Sequence, residues 1–287
     1  MTEPMTGTLK VPAATITYDV RRNESSTEPP LFLIGSPMSA AGFATLATHF
    51  PDRTIITYDP RGADRSSKDD PTAPSNPEMH ADDLHRIIGE VGGLVDMFAS
   101  SGGAVNALAL VAKHPQDVRT LVAHEPPLAS LLPDRDGAMA AVRAIQSSYQ
   151  TRGWGAGMAH FLAVTSHRGE FPDDFADQPG PDPAAFGMPP DDDGSRTDVM
   201  LAQNLIGTTH YEPDFDALRA ASTRIVIGAG AESEGEMANR GALAVADRLG
   251  MEAEIFPSHH GGFLGGEYGW GGKPEAFAVK LRDVLEG

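Results

Sequence analysis

The chain has 287 residues and no cysteine, with 22 Lys+Arg against 40 Asp+Glu and a formal net charge of −18 at pH 7. The missing thiols exclude disulfides, thiolate metal sites and a cysteine nucleophile, and fit a reducing compartment. The acidity repels phosphate backbones and anionic lipid heads, which argues against nucleic acid or a membrane surface as partner.

Hydrophobic content of 40% and charged content of 22% are ordinary for a globular protein. The opening stretch MTEPMTGTLKVPAATITYDV lacks a basic start followed by an apolar segment, so no signal peptide is expected. No apolar run is long enough to span a bilayer. The expectation is a soluble, cytoplasmic protein, without cofactor or metal.

Along the chain, short apolar runs alternate with helical patterns, the sign of a mostly parallel sheet with crossover helices. Strands are predicted at 14–21, 31–34 (LFLI) and 54–59, with a helix over 41–49. A polar, Pro-rich loop at 66–77 leads to a helix over 78–91, where Met79, Leu84, Ile87, Ile88 and Val91 keep helical spacing. A strand at 94–99 runs into the apolar helix that begins at Ser101 and stops at His114-Pro115. Another strand covers 118–124, ended by Pro126-Pro127.

The pattern then changes. Two helices broken at Gly153-Trp154-Gly155 are predicted within 137–165, and 169–198 reads as a loop with nine acidic residues and six prolines. Helical fragments follow to about 220. The strand–helix rhythm returns with a strand at 223–230, a helix at 236–249, a strand at 253–256 and a helix at 274–286. The fold class is therefore α/β: a mostly parallel twisted sheet with helices on both faces. The core comprises 1–127 and 216–287, and 128–215 is a helical insertion.

The chemistry concentrates in VDMFASSGGAVNALAL, where Ala99-Ser100-Ser101-Gly102-Gly103 joins a buried strand to an apolar helix. A nucleophile elbow requires small residues two before and two after its serine, because larger side chains would collide in so tight a turn. Ala99 and Gly103 satisfy this, and Ser101 would stand at a helix N-terminus, whose N–H groups favour developing negative charge. The competing reading is a helix capped by Ser100 and Ser101, with glycines for close packing.

With this elbow the sequence resembles the α/β-hydrolase superfamily, particularly small bacterial esterase-like members that carry a lid. The likeness covers most of the chain outside the insertion, and it implies a catalytic Ser-His-acid triad in a serine esterase. LFLIGSPM is similar to the strand and loop that supply one oxyanion-hole donor, with Ile34-Gly35 in place of the common His-Gly. The resemblance makes the Ser36 N–H, following Gly35, one donor and the Gly102 N–H the other. Residues 58–66, YDPRGADRS, are similar to the D-x-R-G-x-G-x-S turn, with Asp64 in place of a glycine and with Asp59 and Arg61 as structural residues.

AEIFPSHHGGF resembles the loop of the triad histidine. His260 is the favoured base because Gly261-Gly262 follows it, and His259 is the alternative. The usual acid position, after the strand at 223–230, reads Gly230-Ala231-Glu232-Ser233-Glu234 without an aspartate. Some branches place the acid after the preceding strand, which here ends at Glu125. Both Glu125 and Glu232 stay open, with Glu125 preferred. The insertion falls where this superfamily places its cap, which would exclude water and shape the substrate pocket.

The implied activity is hydrolysis of a carboxylic ester, thioester or lactone through an acyl-Ser101 intermediate. C–C bond hydrolysis and perhydrolysis on the same residues stay open, as does a fold that binds a small ligand without turning it over. A serine at the elbow argues against haloalkane or epoxide opening, and no strand leads into the G-x-G-x-x-G turn of a dinucleotide site.

Overall fold

The computed structural model describes residues 3–172 and 174–287. Its strands are β1 (Met5–Val11), β2 (Ala14–Arg21), β3 (Leu31–Ile34), β4 (Ile55–Asp59), β5 (Ser67–Lys68), β6 (Val95–Ser100), β7 (Val118–His124), β8 (Arg224–Gly230) and β9 (Glu254–Phe256). They form one sheet in the order β1-β2-β4-β3-β6-β7-β8-β9, with β5 pairing β2. Pairing from β4 to β9 is parallel, and β2 is antiparallel to β1, β4 and β5.

A parallel sheet covered on both sides must bury both faces of its strands. In β3, Phe32 and Ile34 join one apolar layer while Leu31 and Leu33 join the other. In β6, Met97 and Ala99 enter the first layer and Phe98 the second. The helices α1 (Ala44–Thr48), α2 (Pro77–Val91) and α3 (Gly102–Lys113) follow β3, β4 and β6. α2 and α3 cover the first face, whereas α1 closes the second.

Between β7 and β8 lie α4 (Arg135–Arg152), α5 (Trp154–Thr165), a π-helical turn at Val199–Asn204, α6 (Leu205–Thr209) and α7 (Phe215–Ala220). Apolar side chains of α4, α5 and α6, with Leu201, form a separate cluster, whereas Phe215 and Leu218 of α7 return to the sheet. α8 (Met237–Leu249) and α9 (Pro274–Glu286) complete the two layers, α8 on the first face and α9 on the second. Among the described residues, no helix is long and apolar enough to cross a membrane.

Three elements depart from the sequence expectation. β1 pairs with β2 across a two-residue turn, with Ala13 at φ 60°. Its side chains are half-buried or exposed throughout, so it carries no strong apolar alternation. β5 is a two-residue strand inside the predicted loop. The helix expected at 41–49 is a 3₁₀ turn, Ala40–Phe43, leading into α1.

The turn after β4 is locked by charge. Arg61 and Asp83 are 2% and 0% exposed and form a two-pronged ion pair, Nε to Oδ2 at 2.8 Å and Nη2 to Oδ1 at 2.7 Å. This ties the turn to α2. Removing one member of a buried pair strands the other charge, so Asp83→Ala is expected to cost about 3–5 kcal/mol of folding stability. Urea denaturation measures the loss.

Candidate active site

β6 delivers Ser101 through a strained turn. Ser101 has φ 57° and ψ −127°, a conformation that a residue with a Cβ adopts only under constraint. The constraint is close packing against the end of β3. A Cβ on Gly102 would stand 2.5 Å from the Ser36 carbonyl oxygen, and one on Gly103 would stand 2.8 Å from Gly35 Cα. Two glycines therefore let α3 start immediately against the 34–36 backbone. The Ser101 N–H donates to the His124 carbonyl at 3.0 Å, holding the turn to the end of β7.

Gly102 and Gly103 are the first residues of α3, where N–H groups have no partner within the helix. Among the described residues, neither these N–H groups nor that of Ser36 donates to a backbone carbonyl outside the regular elements. The Ser36 loop is anchored from below: Asp59 Oδ1 accepts the Ala40 N–H at 3.0 Å, and its Oδ2 accepts Arg65 Nε at 2.6 Å. Thr208 of α6 reaches this corner, its Cγ2 3.4 Å from a Cβ built on Gly102.

Glu125, at φ 48°, follows β7 directly, and its carboxylate has no solvent exposure. Its Oε2 accepts from His260 Nδ1 at 2.7 Å. Its Oε1 accepts from the Gly230 N–H at 2.8 Å, from Ser233 Oγ, and from Asn239 Nδ2 at 3.2 Å. Burial works against the carboxylate's charge, but the His260 hydrogen bond and charge, with Ser233, outweigh it and hold Glu125 well below the usual carboxylate range. Burial likewise disfavours the charged imidazole of His260, yet Glu125 prevails and raises it above the ordinary value of 6.5.

Of the two acids, the structure brings Glu125 to His260 and leaves Glu232 apart. Glu232 is 46% exposed; it pairs with Lys273 Nζ and accepts from Ser258 Oγ at 3.3 Å. Its position in a loop past the sheet edge turns the side chain outward. His259 points away as well, its Nε2 donating to the Gly271 carbonyl at 3.1 Å. Ser101 Oγ makes no hydrogen bond among the described residues.

Sequence reasoning missed Ser233 and Asn239. The loop 230–234 stands out in sequence for its carboxylates, while its contribution is a hydroxyl and a backbone N–H. It also left out His124, which is fully buried beside Phe98, Phe256 and Phe277, its ring 6.2 Å from that of His260. Burial pushes His124 down to about 4, so it is neutral at pH 7.

Away from this edge, His85, His114 and Asp117 are grouped closely enough to hold a metal ion. His85 Nδ1 meets Asp117 Oδ2 at 2.6 Å, and the two imidazole rings stack at 3.8 Å. They sit at the far end of α3, about 18 Å along the helix from Ser101.

No protein-family model matches the chain. It is 28% identical to an uncharacterized hydrolase of Bacillus subtilis, YraK, over 98% of this chain and 96% of that protein. Among solved structures it is similar to MGS-M2, an α/β-hydrolase enzyme from a Medee basin deep-sea metagenome library, with 14% identity, 98% of each chain covered and a TM-score of 0.67. The esterase EaEST of Exiguobacterium antarcticum superposes equally well, with 18% identity, TM-score 0.67, and 99% of this chain and 100% of that one covered. The chain has the α/β-hydrolase fold. In that fold the glycine pair after Ser101 is a packing requirement. Gly103→Ala is expected to cost about 1–3 kcal/mol through overpacking, read as a lower urea midpoint at unchanged slope.

Proposed function

We propose that this protein is a serine hydrolase that cleaves carboxylic esters, thioesters or lactones of small molecules through an acyl-Ser101 intermediate. The observation that carries this reading is the buried Glu125 carboxylate bonded to His260 Nδ1 at 2.7 Å, on the sheet edge where β6 ends in the strained Ser101 turn. The hydrolase and esterase neighbours agree with it.

Each group has one task. Glu125 fixes the His260 tautomer with its proton on Nδ1, which leaves Nε2 free as a base. Nε2 takes the Ser101 proton as Oγ attacks the acyl carbon, then returns it to the leaving alcohol or thiol. The N–H groups of Ser36 and Gly102 receive the oxyanion. Water then attacks the acyl-enzyme with His260 again as base. The Ser101–His260 hydrogen bond forms when substrate is present, since catalytic hydrogen bonds that are long in the free enzyme commonly tighten in the complex. Residues 128–215 act as a cap over this edge, with Thr208 beside Gly102.

A fluorophosphonate should label Ser101, located by mass spectrometry of the digest, and Ser101→Ala should abolish the adduct. Absence of labelling by a small probe in folded protein would sink the proposal. Glu125→Gln is expected to lower kcat on the order of 10⁴-fold, the loss that goes with a misset tautomer, while Glu232→Gln leaves it unchanged.

The pH profile follows from the charge of His260. Only the neutral ring accepts a proton, so kcat/KM should fall as pH drops through a pKa raised above 6.5. A limb centred below 6.5 would contradict the Glu125–His260 coupling.

A further inference from the structure

Glu125 reaches His260 with a longer, more flexible side chain than an aspartate has, from a backbone at φ 48°. Nothing in its own geometry forces Oε2 onto Nδ1. What fixes the carboxylate is the other oxygen, held from a separate part of the chain, the loop after β8 and the first turn of α8. Ser233 is 0% exposed and Asn239 is 4% exposed. Ser233 Oγ carries a single proton and has two acceptors near it, the Glu125 carboxylate and the Gly230 carbonyl at 3.2 Å; the carboxylate contact is the shorter. Asn239 Nδ2 carries two protons and reaches both Glu125 Oε1 and the Gly230 carbonyl at 3.2 Å.

We propose that Ser233 and Asn239 are positioning residues that grip Glu125 by Oε1, so that Oε2 stays aligned with His260. This rests on the triad reading above and adds a residue pair that acts only through the acid. Without the grip, the carboxylate rotates among rotamers and the imidazole loses its fixed tautomer, a fault in the chemical step that leaves substrate binding intact.

The test uses Ser233→Ala and Asn239→Leu in the full-length protein, with folding checked by circular dichroism and p-nitrophenyl acetate as substrate. Loss of a hydrogen bond to a charged group should lower kcat about 10- to 100-fold with KM unchanged. The low-field proton resonance of His260 Nδ1–H should broaden or vanish in both variants. The deciding comparison is made in a Glu125→Ala background, where Ser233→Ala should cost nothing further, because its effect runs through the missing carboxylate. Penalties that add, or variants with wild-type kcat and an intact resonance, would overturn the positioning role while leaving Ser101 labelling untouched. Wild-type protein that fails to label at Ser101 would bring down the triad reading and this proposal together.

Discussion

A carboxylate without solvent costs several kcal/mol to bury unless donors replace its lost hydration. Glu125 has four, one from the His260 ring on Oε2 and three on Oε1, from Gly230 at the end of β8, Ser233 in the loop after it and Asn239 in the first turn of α8. Satisfying one side chain therefore also fixes the relative position of β7, β8, α8 and the loop after β9, which carries His260. The histidine is held above its ordinary pKa by the same contact that holds the glutamate below its own. Neither group has this character alone.

The sheet makes the arrangement possible. Parallel strands bring their C-terminal ends to one edge, where loops are free of ladder duties. β6 and β7 are neighbours, and the backbone bond from the Ser101 N–H to the His124 carbonyl joins their ends directly. Their next residues, Ser101 and Glu125, both adopt positive φ. Positive φ at a residue with a Cβ is strain that surrounding contacts must sustain. Here the contacts are the 34–36 backbone pressed on Gly102 and Gly103, and the donors on Glu125.

Much of this was legible in the sequence because strand patterning and steric demand act locally. LFLI at 31–34 is a strand with the predicted bounds, since a doubly covered parallel strand reads as an unbroken apolar run, and VRTLVAH at 118–124 keeps its predicted bounds around the apolar Leu121-Val122-Ala123. The glycine pair after Ser101 was readable for the same reason. What escaped was relational. Ser233 and Asn239 look like an ordinary loop serine and helix asparagine until the fold sets a carboxylate beside them. Glu232 and Glu125 are alike in sequence, both following a strand; only the direction of each loop separates a buried acid from an exposed one. β1 was hidden because this edge strand buries no side chain fully, so neither face demands an apolar period.

The insertion is attached by a similar logic of polar groups answered from elsewhere in the chain. Between Leu201 and Leu205, which belong to the insertion's apolar cluster, a π-helical turn widens the spiral and turns Gln203 and Asn204 toward the body. Gln203 Nε2 donates to the Pro71 carbonyl at 2.9 Å while its Oε1 accepts from Lys68. Asn204 Oδ1 accepts from His80 Nε2 at 2.7 Å, inside α2 and one turn from the Arg61–Asp83 pair. An apolar face would fix depth but permit sliding, whereas directional bonds at buried positions set one register. That register places α6 so that Thr208 meets Gly102. The start of α3, just after Ser101, is thereby packed by the end of β3 on one side and by the insertion on the other, and the same turn answers to both.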